Sequence, residues 1–154
     1  MIVGEFEVYS PFSGERQRFV RFTVAGNSMF ERLMPGDTVI VDDSERSINR
    51  GDLVAIVFKH SPTPMVKRVI AVGGDKIEIR DNTIFVNGKL LRDIDESRWA
   101  STVRQLERYN WIVPQNNLFI LGDNPQNSRD SRRLGLISTS QILGKVVRII
   151  NKDE

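Results

Sequence analysis

Residues 36–42, GDTVIVD, begin with a Gly-Asp pair and continue with a run rich in β-branched residues. The same device recurs as GDLVAIVF at residues 51–58 and as GDKIEI at residues 74–79. Glycine tolerates the backbone of a tight turn, aspartate accepts hydrogen bonds from nearby amides, and β-branched residues favour strands. We therefore predict a mostly β protein of antiparallel, meandering strands with little helix. The irregular spacing of the pairs argues against a repeat architecture.

Further strands are predicted where a short run rich in β-branched or aromatic residues lies between turn residues. These runs are residues 19–24, 66–72, 83–86, 117–121 and 145–150. The dipeptide Asn87-Gly88 predicts a hairpin turn after the third run. One helix is predicted at residues 97–109, where Trp99, Val103 and Leu106 recur at helical spacing.

The composition excludes several kinds of site. The chain has no cysteine, so disulfides, thiolate nucleophiles and thiolate metal sites are ruled out. A structural zinc site needs several Cys or His ligands and the chain has one histidine, His60, so we expect neither a metal nor a cofactor. Lys and Arg number 22 against 20 Asp and Glu, and this net charge of +2 gives no reason to expect a nucleic-acid partner.

The 154 residues are enough for one domain, and no low-complexity linker divides them. The composition becomes more polar between about residues 90 and 110, which indicates an excursion from the main sheet. No apolar run approaches the ~20 residues that a membrane-spanning helix needs. Residues 1–19 lack the basic-then-apolar plan of a signal peptide. We therefore expect this chain not to span a membrane, and a cytoplasmic location stays open.

Lys67 is the predicted general base, because a serine enzyme without a usable cysteine or histidine needs another base and lysine is the known substitute. In the segment MVKRVIAV, alternation along a strand would place on one face Met65, Lys67, Val69 and Ala71. Burial on such an apolar face lowers the pKa of a lysine from its usual ~10.4. The alternative is that Lys67 extends from an edge strand into solvent. We interpret His60 as a solvated loop residue rather than a catalytic one.

Ser28 is the predicted nucleophile. It follows Ala-Gly-Asn after a predicted strand, at a turn that exposes the hydroxyl and frees the Ser28 amide for a developing oxyanion, with Gly26 in the same turn. The alternative is an ordinary turn serine. Four apolar residues follow, and they line a peptide groove, touch a membrane surface or belong to the core: Met29, Phe30, Leu33 and Met34.

Residues 121–135, LGDNPQNSRDSRRLG, concentrate Asp, Asn, Ser and Arg after an apolar run, and we call them the polar box. Such a cluster can form a hydrogen-bond network that holds the surroundings of the lysine in place. We expect Asp130 and Arg132 to pair, and Asp123 to join them. A calcium loop is excluded because Pro125 and the lack of a downstream Glu break its pattern.

Taken in order, these segments resemble the type I signal peptidases over about residues 22–150. That family carries a Ser-Met box, Gly-Asp strands, a Lys-Arg strand and a box close to GDN-x-x-NS-x-DSR-x-x-G. The matching segments here are Asn27-Ser28-Met29, Gly36-Asp37, Gly51-Asp52, Lys67-Arg68 with Gly74-Asp75, and Gly122-Asp123-Asn124 through Gly135.

The resemblance implies antiparallel sheets of the signal-peptidase type and a Ser-Lys dyad that removes leader peptides from exported proteins. It assigns Ser28 as nucleophile and Lys67 as base. Ser128 then matches a serine that hydrogen-bonds the lysine, and Asp130 with Arg132 matches a supporting ion pair.

The same resemblance implies one peptidase domain over residues 1–154. Its catalytic core would comprise residues 19–82 and 114–150, and residues 83–113 would be a short version of the family's inserted β-domain. The implied partner is a polypeptide substrate such as a pre-protein leader region, with peripheral membrane contact and a membrane-associated or extracytoplasmic location. No cofactor is implied.

Departures from the family pattern keep two alternatives open. Gly26 stands where some members carry a serine that assists the oxyanion, and Glu31-Arg32 replace the usual Pro-Thr. The second departure is compatible with a non-catalytic binding module on the same fold. The Ser-Met box is shared with self-cleaving repressors, although the residues before Ser28 show no helix-turn-helix signal.

Overall fold

The computed structural model describes residues 2–9, 16–44, 47–59, 61–80, 83–93, 111–124 and 127–154. The helix predicted at residues 97–109 and His60 lie outside these residues. No helix in the described ranges is both long and apolar enough to cross a bilayer.

Twelve strands, one short helix and one 3-10 turn make up the regular structure of the described part of the chain. In chain order they are β1 (Ile2–Tyr9), β2 (Arg16–Thr23), β3 (Thr38–Asp42), β4 (Leu53–Phe58), β5 (Ser61–Val72), β6 (Lys76–Arg80), β7 (Thr83–Val86), β8 (Lys89–Asp93), β9 (Trp111–Ile112), β10 (Asn117–Leu121), α1 (Ser131–Leu134), β11 (Ile137–Ser138), the 3-10 turn Thr139–Gln141 and β12 (Ile142–Ile150).

The strands form two antiparallel sheets. The larger has eight strands in the order β1-β2-β3-β12-β4-β5-β10-β11, and the smaller has four in the order β8-β7-β6-β9. The smaller sheet combines residues of the predicted insert with β6, which precedes it. One core cluster draws Ile77 and Ile84 from the smaller sheet and Phe119 and Leu121 from the larger, so the two sheets pack together. The predicted mostly β, antiparallel fold class is confirmed.

The Gly-Asp pairs before β3, β4 and β6 form the same turn three times. In each turn the glycine has a φ between 91° and 95°, a backbone conformation that glycine tolerates best. In each turn the aspartate carboxylate accepts the amide N–H of the residue three positions earlier. The bonds are Met34 N to Asp37 Oδ2 at 2.9 Å, Asn49 N to Asp52 Oδ2 at 2.7 Å and Val72 N to Asp75 Oδ2 at 2.9 Å.

The hairpin predicted at Asn87-Gly88 is also confirmed, since it joins β7 to β8. Both residues have positive φ, 51° for Asn87 and 81° for Gly88, as a two-residue hairpin turn of the favoured hand requires. The Asn87 side-chain oxygen accepts the amide N–H of Lys76 at 2.8 Å, which ties the turn to β6.

The apolar stripe predicted along β5 is interrupted. Opposite β10 the pairing passes from Ala71 to Val69, so a bulge leaves Ile70 without a paired partner. A bulge of this kind breaks the alternation of side chains between faces. As a result Val69 and Ala71 belong to different core clusters instead of sharing one face. The burial of Lys67 nevertheless persists, with 2% of the residue exposed.

Candidate active site

Ser28 lies in the loop between β2 and β3, and this loop is closed at its base by backbone hydrogen bonds. The amide of Val24 donates to the carbonyl of Asp37 and the amide of Gly36 donates to the carbonyl of Val24, both at 2.8 Å. Met29 and Leu33 are buried in the core cluster beneath the loop. Of the apolar residues after Ser28, Met29 and Leu33 therefore belong to the core, whereas Phe30 is 42% exposed.

The polar box holds the Ser28 turn from the other side. The amide of Asn124 donates to the carbonyl of Ser28 at 2.8 Å, and the Asn124 side chain donates to the carbonyl of Asn27 at 3.0 Å. The Asn127 side-chain amide also donates to the Asn27 side-chain oxygen. Backbone and side-chain bonds thus fix the turn relative to the segment that carries Ser128.

Lys67 projects from β5 into buried surroundings. Its Nζ donates to the Ser128 hydroxyl at 3.2 Å. Burial lowers the pKa of Lys67 to about 8, because an ammonium loses hydration when water is removed. The negative charges of Asp130 and Asp123 oppose this lowering of the pKa, whereas the positive charge of Arg132 adds to it.

Asp130 and Arg132 form a fully buried ion pair next to Ser128. Arg132 Nε and Nη2 each lie 2.9 Å from one carboxylate oxygen of Asp130, a bidentate arrangement. The Asp130 carboxylate also accepts the amide of Gly122 at 3.0 Å. Burial raises the pKa of Asp130, but the hydrogen bonds from Arg132, Gly122 and Ser128, together with the Arg132 charge, hold it below its ordinary value.

Gly122 permits the closest approach in the site. A Cβ at this position would lie 2.0 Å from Ser128 Oγ and 2.7 Å from the carbonyl oxygen of Ser28. No side chain fits at such distances. The glycine therefore allows the Ser28 turn and Ser128 to lie on either side of one backbone position.

Asp123 has a different partner from the one expected. Rather than joining the Asp130–Arg132 pair, its carboxylate accepts Arg68 Nε at 2.9 Å and Arg68 Nη2 at 2.7 Å. Arg68 Nη1 also donates to the carbonyl of Gly51 at 2.8 Å. The hydrogen bonds and charge of Asp123 raise the pKa of Arg68. Arg68 cannot act as a base, because a guanidinium stays protonated in proteins, and its contacts instead tie β5 to the polar box.

Ser28 and Lys67 line the same open cavity of about 350 Å³. Gly26 also lines it, and a Cβ there would meet no atom within 4 Å. Among the described residues, the side-chain hydrogen bond of Lys67 goes to Ser128, and none joins it to the Ser28 hydroxyl. The fold therefore brings the predicted nucleophile and the predicted base to one cavity. The supporting residues lie behind the lysine, which donates a hydrogen bond to Ser128.

A family model and the relatives found by sequence agree on one family. A family model described as signal peptidase, peptidase S26, matches residues 16–150. Signal peptidase I of Bacillus amyloliquefaciens is 34% identical over 139 residues, which are 82% of this chain and 70% of that protein. Signal peptidase IB of Staphylococcus aureus strain COL is 33% identical over 142 residues, 81% of this chain and 74% of that protein. The crystal structure of a signal peptidase I from Enterococcus faecalis V583 overlaps 66% of this chain and 97% of its own, with 26% identity and a TM-score of 0.48.

Proposed function

This chain belongs to the signal peptidase family, peptidase S26, and we propose that it is a serine endopeptidase that removes leader peptides, with Ser28 as nucleophile and Lys67 as general base. The observation that carries the assignment of the base is the environment of Lys67. It is a buried lysine with a pKa of about 8, and it lines the same cavity as Ser28. A lysine in solvent, with its pKa near ~10.4, would be protonated at neutral pH and unable to accept a proton.

In the proposed acylation step, neutral Lys67 takes the proton of the Ser28 hydroxyl while Oγ attacks the scissile carbonyl carbon. The Ser28 amide donates a hydrogen bond to the oxyanion of the tetrahedral intermediate. The protonated Lys67 then gives its proton to the leaving amine as the C–N bond breaks. Lys67 next accepts a proton from water as that water attacks the acyl-enzyme, and it returns the proton to Ser28 Oγ as the ester bond breaks, which restores both the serine hydroxyl and the neutral amine.

The hydrogen bond from Lys67 to Ser128 is compatible with this role. A neutral amine has two N–H donors and one lone pair, so it can donate to Ser128 while its lone pair accepts the proton of Ser28. Ser128, which also hydrogen-bonds Asp130, would then orient the amine. We assign Asp130, Arg132 and Asp123 as positioning residues that act through Ser128 and Lys67 rather than on the substrate.

The non-catalytic alternative loses part of its basis. It was motivated by Glu31-Arg32, but these residues are exposed and lie outside the set that lines the cavity in the described structure. The wall of the cavity that β2, β3 and β5 form is apolar, and it suits those side chains of an extended peptide that face it. The apolar residues of this wall are Phe22, Val39, Met65 and Val66.

The test is cleavage of a leader-peptide substrate by the purified chain. Ser28→Ala and Lys67→Met should each reduce kcat by at least about a thousand-fold, because the members of such a dyad act as a unit. The exposed residues Ser44 and Lys59 provide matched controls, and Ser44→Ala and Lys59→Met should cleave like the parent. Cleavage that persists in either dyad variant would end the assignment.

The two alternatives give different results in the same experiment. A non-catalytic module would bind the peptide without cleaving it, and a β-lactam probe would not acylate Ser28. A self-cleaving protein would split into two fragments on incubation at alkaline pH without any added peptide.

A further inference from the structure

Arg129 is a charged residue in the cavity that the proposed chemistry does not use. It directly follows Ser128, it is exposed, and it contributes to the cavity lining together with Ser28 and Thr63. The described residues that line the cavity include two basic side chains, Lys67 and Arg129, and no Asp or Glu. Because Lys67 must be neutral to act, Arg129 is the permanent charge that a bound peptide would meet.

The neighbouring arginines of the site are already paired, whereas Arg129 has no partner among the described residues. Arg68 pairs with Asp123 and Arg132 pairs with Asp130. Over the ranges that the structure describes, Arg129 has no ion pair and no hydrogen bond from its side chain. A guanidinium is always charged in proteins and matches the geometry of a carboxylate. No described residue accepts from its five N–H donors, and a ligand in the cavity can do so.

We infer that Arg129 determines specificity by binding an acidic side chain of the polypeptide substrate close to the scissile bond. This inference rests on the proposed function, because it takes the occupant of the cavity to be a peptide that reaches Ser28. An extended chain advances ~3.3 Å per residue. Since Arg129 and Ser28 line one cavity, the acidic residue lies within about three positions of the bond that is cleaved.

The effect of Arg129 falls on binding rather than on the chemical step. The charges that act on the pKa of Lys67 belong to Asp130, Arg132 and Asp123, and Arg129 is not one of them. A contact made equally in the bound ground state and in the transition state changes KM and leaves kcat in place. The pH profile of kcat for a neutral substrate should therefore be the same for Arg129→Gln and for the parent.

The experiment compares pairs of peptides that differ only in Glu against Gln, scanned over three positions on each side of the scissile bond. At low ionic strength the parent should prefer Glu at one position by roughly three- to five-fold in kcat/KM, the size expected for a solvent-exposed ion pair. The preference for Glu should appear as a lower KM, with kcat unchanged. It should vanish near 1 M salt, where the Debye length is about 3 Å.

Three variants test whether Arg129 causes the preference for the Glu peptide. Arg129→Gln should bring the Glu-to-Gln ratio close to one, and Arg129→Lys should retain part of the preference because it keeps the charge. Arg133 lies on α1, is exposed and does not line the cavity, so Arg133→Gln should leave the ratio unchanged. A parent without charge preference at any scanned position, or a preference that survives in Arg129→Gln, overturns the inference.

The inference and the proposed function fail in distinguishable ways. Equal cleavage of the Glu and Gln peptides refutes the role of Arg129 and leaves the peptidase assignment intact. If the parent cleaves none of the peptides, the proposed function is refuted and the role of Arg129 is refuted with it.

Discussion

The three Gly-Asp turns before β3, β4 and β6 differ from the fourth pair, Gly122-Asp123, although the dipeptide is the same. In the three turns the glycine supplies a positive φ and the aspartate caps an amide three residues away. Gly122 is not among the glycines with positive φ in the described residues. It is required because Ser128 and the carbonyl of Ser28 leave no room for a Cβ.

The aspartates differ in the same way. Asp52 and Asp75 accept amides three residues earlier, in addition to ion pairs with Lys145 and Arg50. The carboxylate of Asp123 instead accepts both of its side-chain hydrogen bonds from Arg68, 55 residues away. The first kind of pair specifies a local turn, and the second specifies how β5 meets the polar box. The role of a Gly-Asp pair therefore depends on what packs against it. Substitutions at the turn-forming pairs and at residues around the active site should accordingly have different effects.

The largest effect is expected from Gly122→Ala. The new Cβ would lie 2.0 Å from Ser128 Oγ, so Ser128 or the Ser28 turn must move. Displacement of a catalytic group by about 1 Å can cost roughly 100-fold in rate, and overpacking of this kind typically costs about 1–3 kcal/mol of stability. Denaturant unfolding and peptide cleavage measure the two effects.

Gly51→Ala is the matched control, because a Cβ there meets no atom within 4 Å and only the φ of 91° is unfavourable. It should lower the free energy of unfolding by about 1–2 kcal/mol and leave kcat within a factor of two or three. If Gly122→Ala kept full activity, the contrast between the two kinds of glycine would be lost.

The next largest effect is expected from Asp123→Asn, and Asp52→Asn is its matched control. Loss of the carboxylate that pairs with Arg68 should reduce kcat by roughly ten-fold, an effect typical of removing a residue that orients a functional group without touching the substrate. Because the charge of Asp123 raises the pKa of Lys67, its removal should lower that pKa and shift the pH profile of kcat to lower pH.

Asp52 is absent from the charges that act on the pKa of Lys67, so Asp52→Asn should leave the midpoint of the profile in place. Its cost should appear in stability, at about 0.5–1 kcal/mol. The amide oxygen of Asn can still accept the turn hydrogen bond, but the partly exposed ion pair with Lys145 is lost. A shift of the Asp123→Asn profile to higher pH would contradict the electrostatic assignment.

The smallest effect is expected from Gly26→Ser. Gly26 does not have a positive φ, and a Cβ there would meet no atom within 4 Å. A hydroxyl beside Ser28 would add a second donor for the oxyanion. A well-placed donor is worth roughly 100-fold or more, but an unoptimised one should raise kcat by only about two- to five-fold. Stability should change by less than about 0.5 kcal/mol. A fall in kcat would show that the open space is needed by the substrate.

Local features of this fold were predictable from sequence because they depend on residues close together in the chain. The strands after Gly36-Asp37 and Gly51-Asp52 and the hairpin at Asn87-Gly88 were predicted, and the structure contains them. The same holds for the bidentate pair of Asp130 and Arg132, which are two residues apart.

Features set by distant contacts were not predictable in the same way. The bulge at Ile70 arises from pairing with β10, and the partner of Asp123 is fixed only when β5 and the polar box meet. The short helix α1 was also missed, because its signal is the capping bond from the amide of Arg132 to Asp130, within a run with no apolar periodicity. The strand β1 was not predicted either, since charges interrupt its apolar residues.

The most direct test of the central claim, a neutral Lys67 at the pH of catalysis, is the pH dependence of kcat/KM for a neutral peptide between pH 6 and about 10, because kcat/KM reports the pKa of the free enzyme. Burial lowers the pKa of Lys67 to about 8, so the base is protonated below that pH and becomes free above it. The account predicts that kcat/KM rises through a single step near pH 8 and then levels off. A kcat/KM that is constant across this range, or that rises only near the pKa of an exposed lysine at ~10.4, would contradict it.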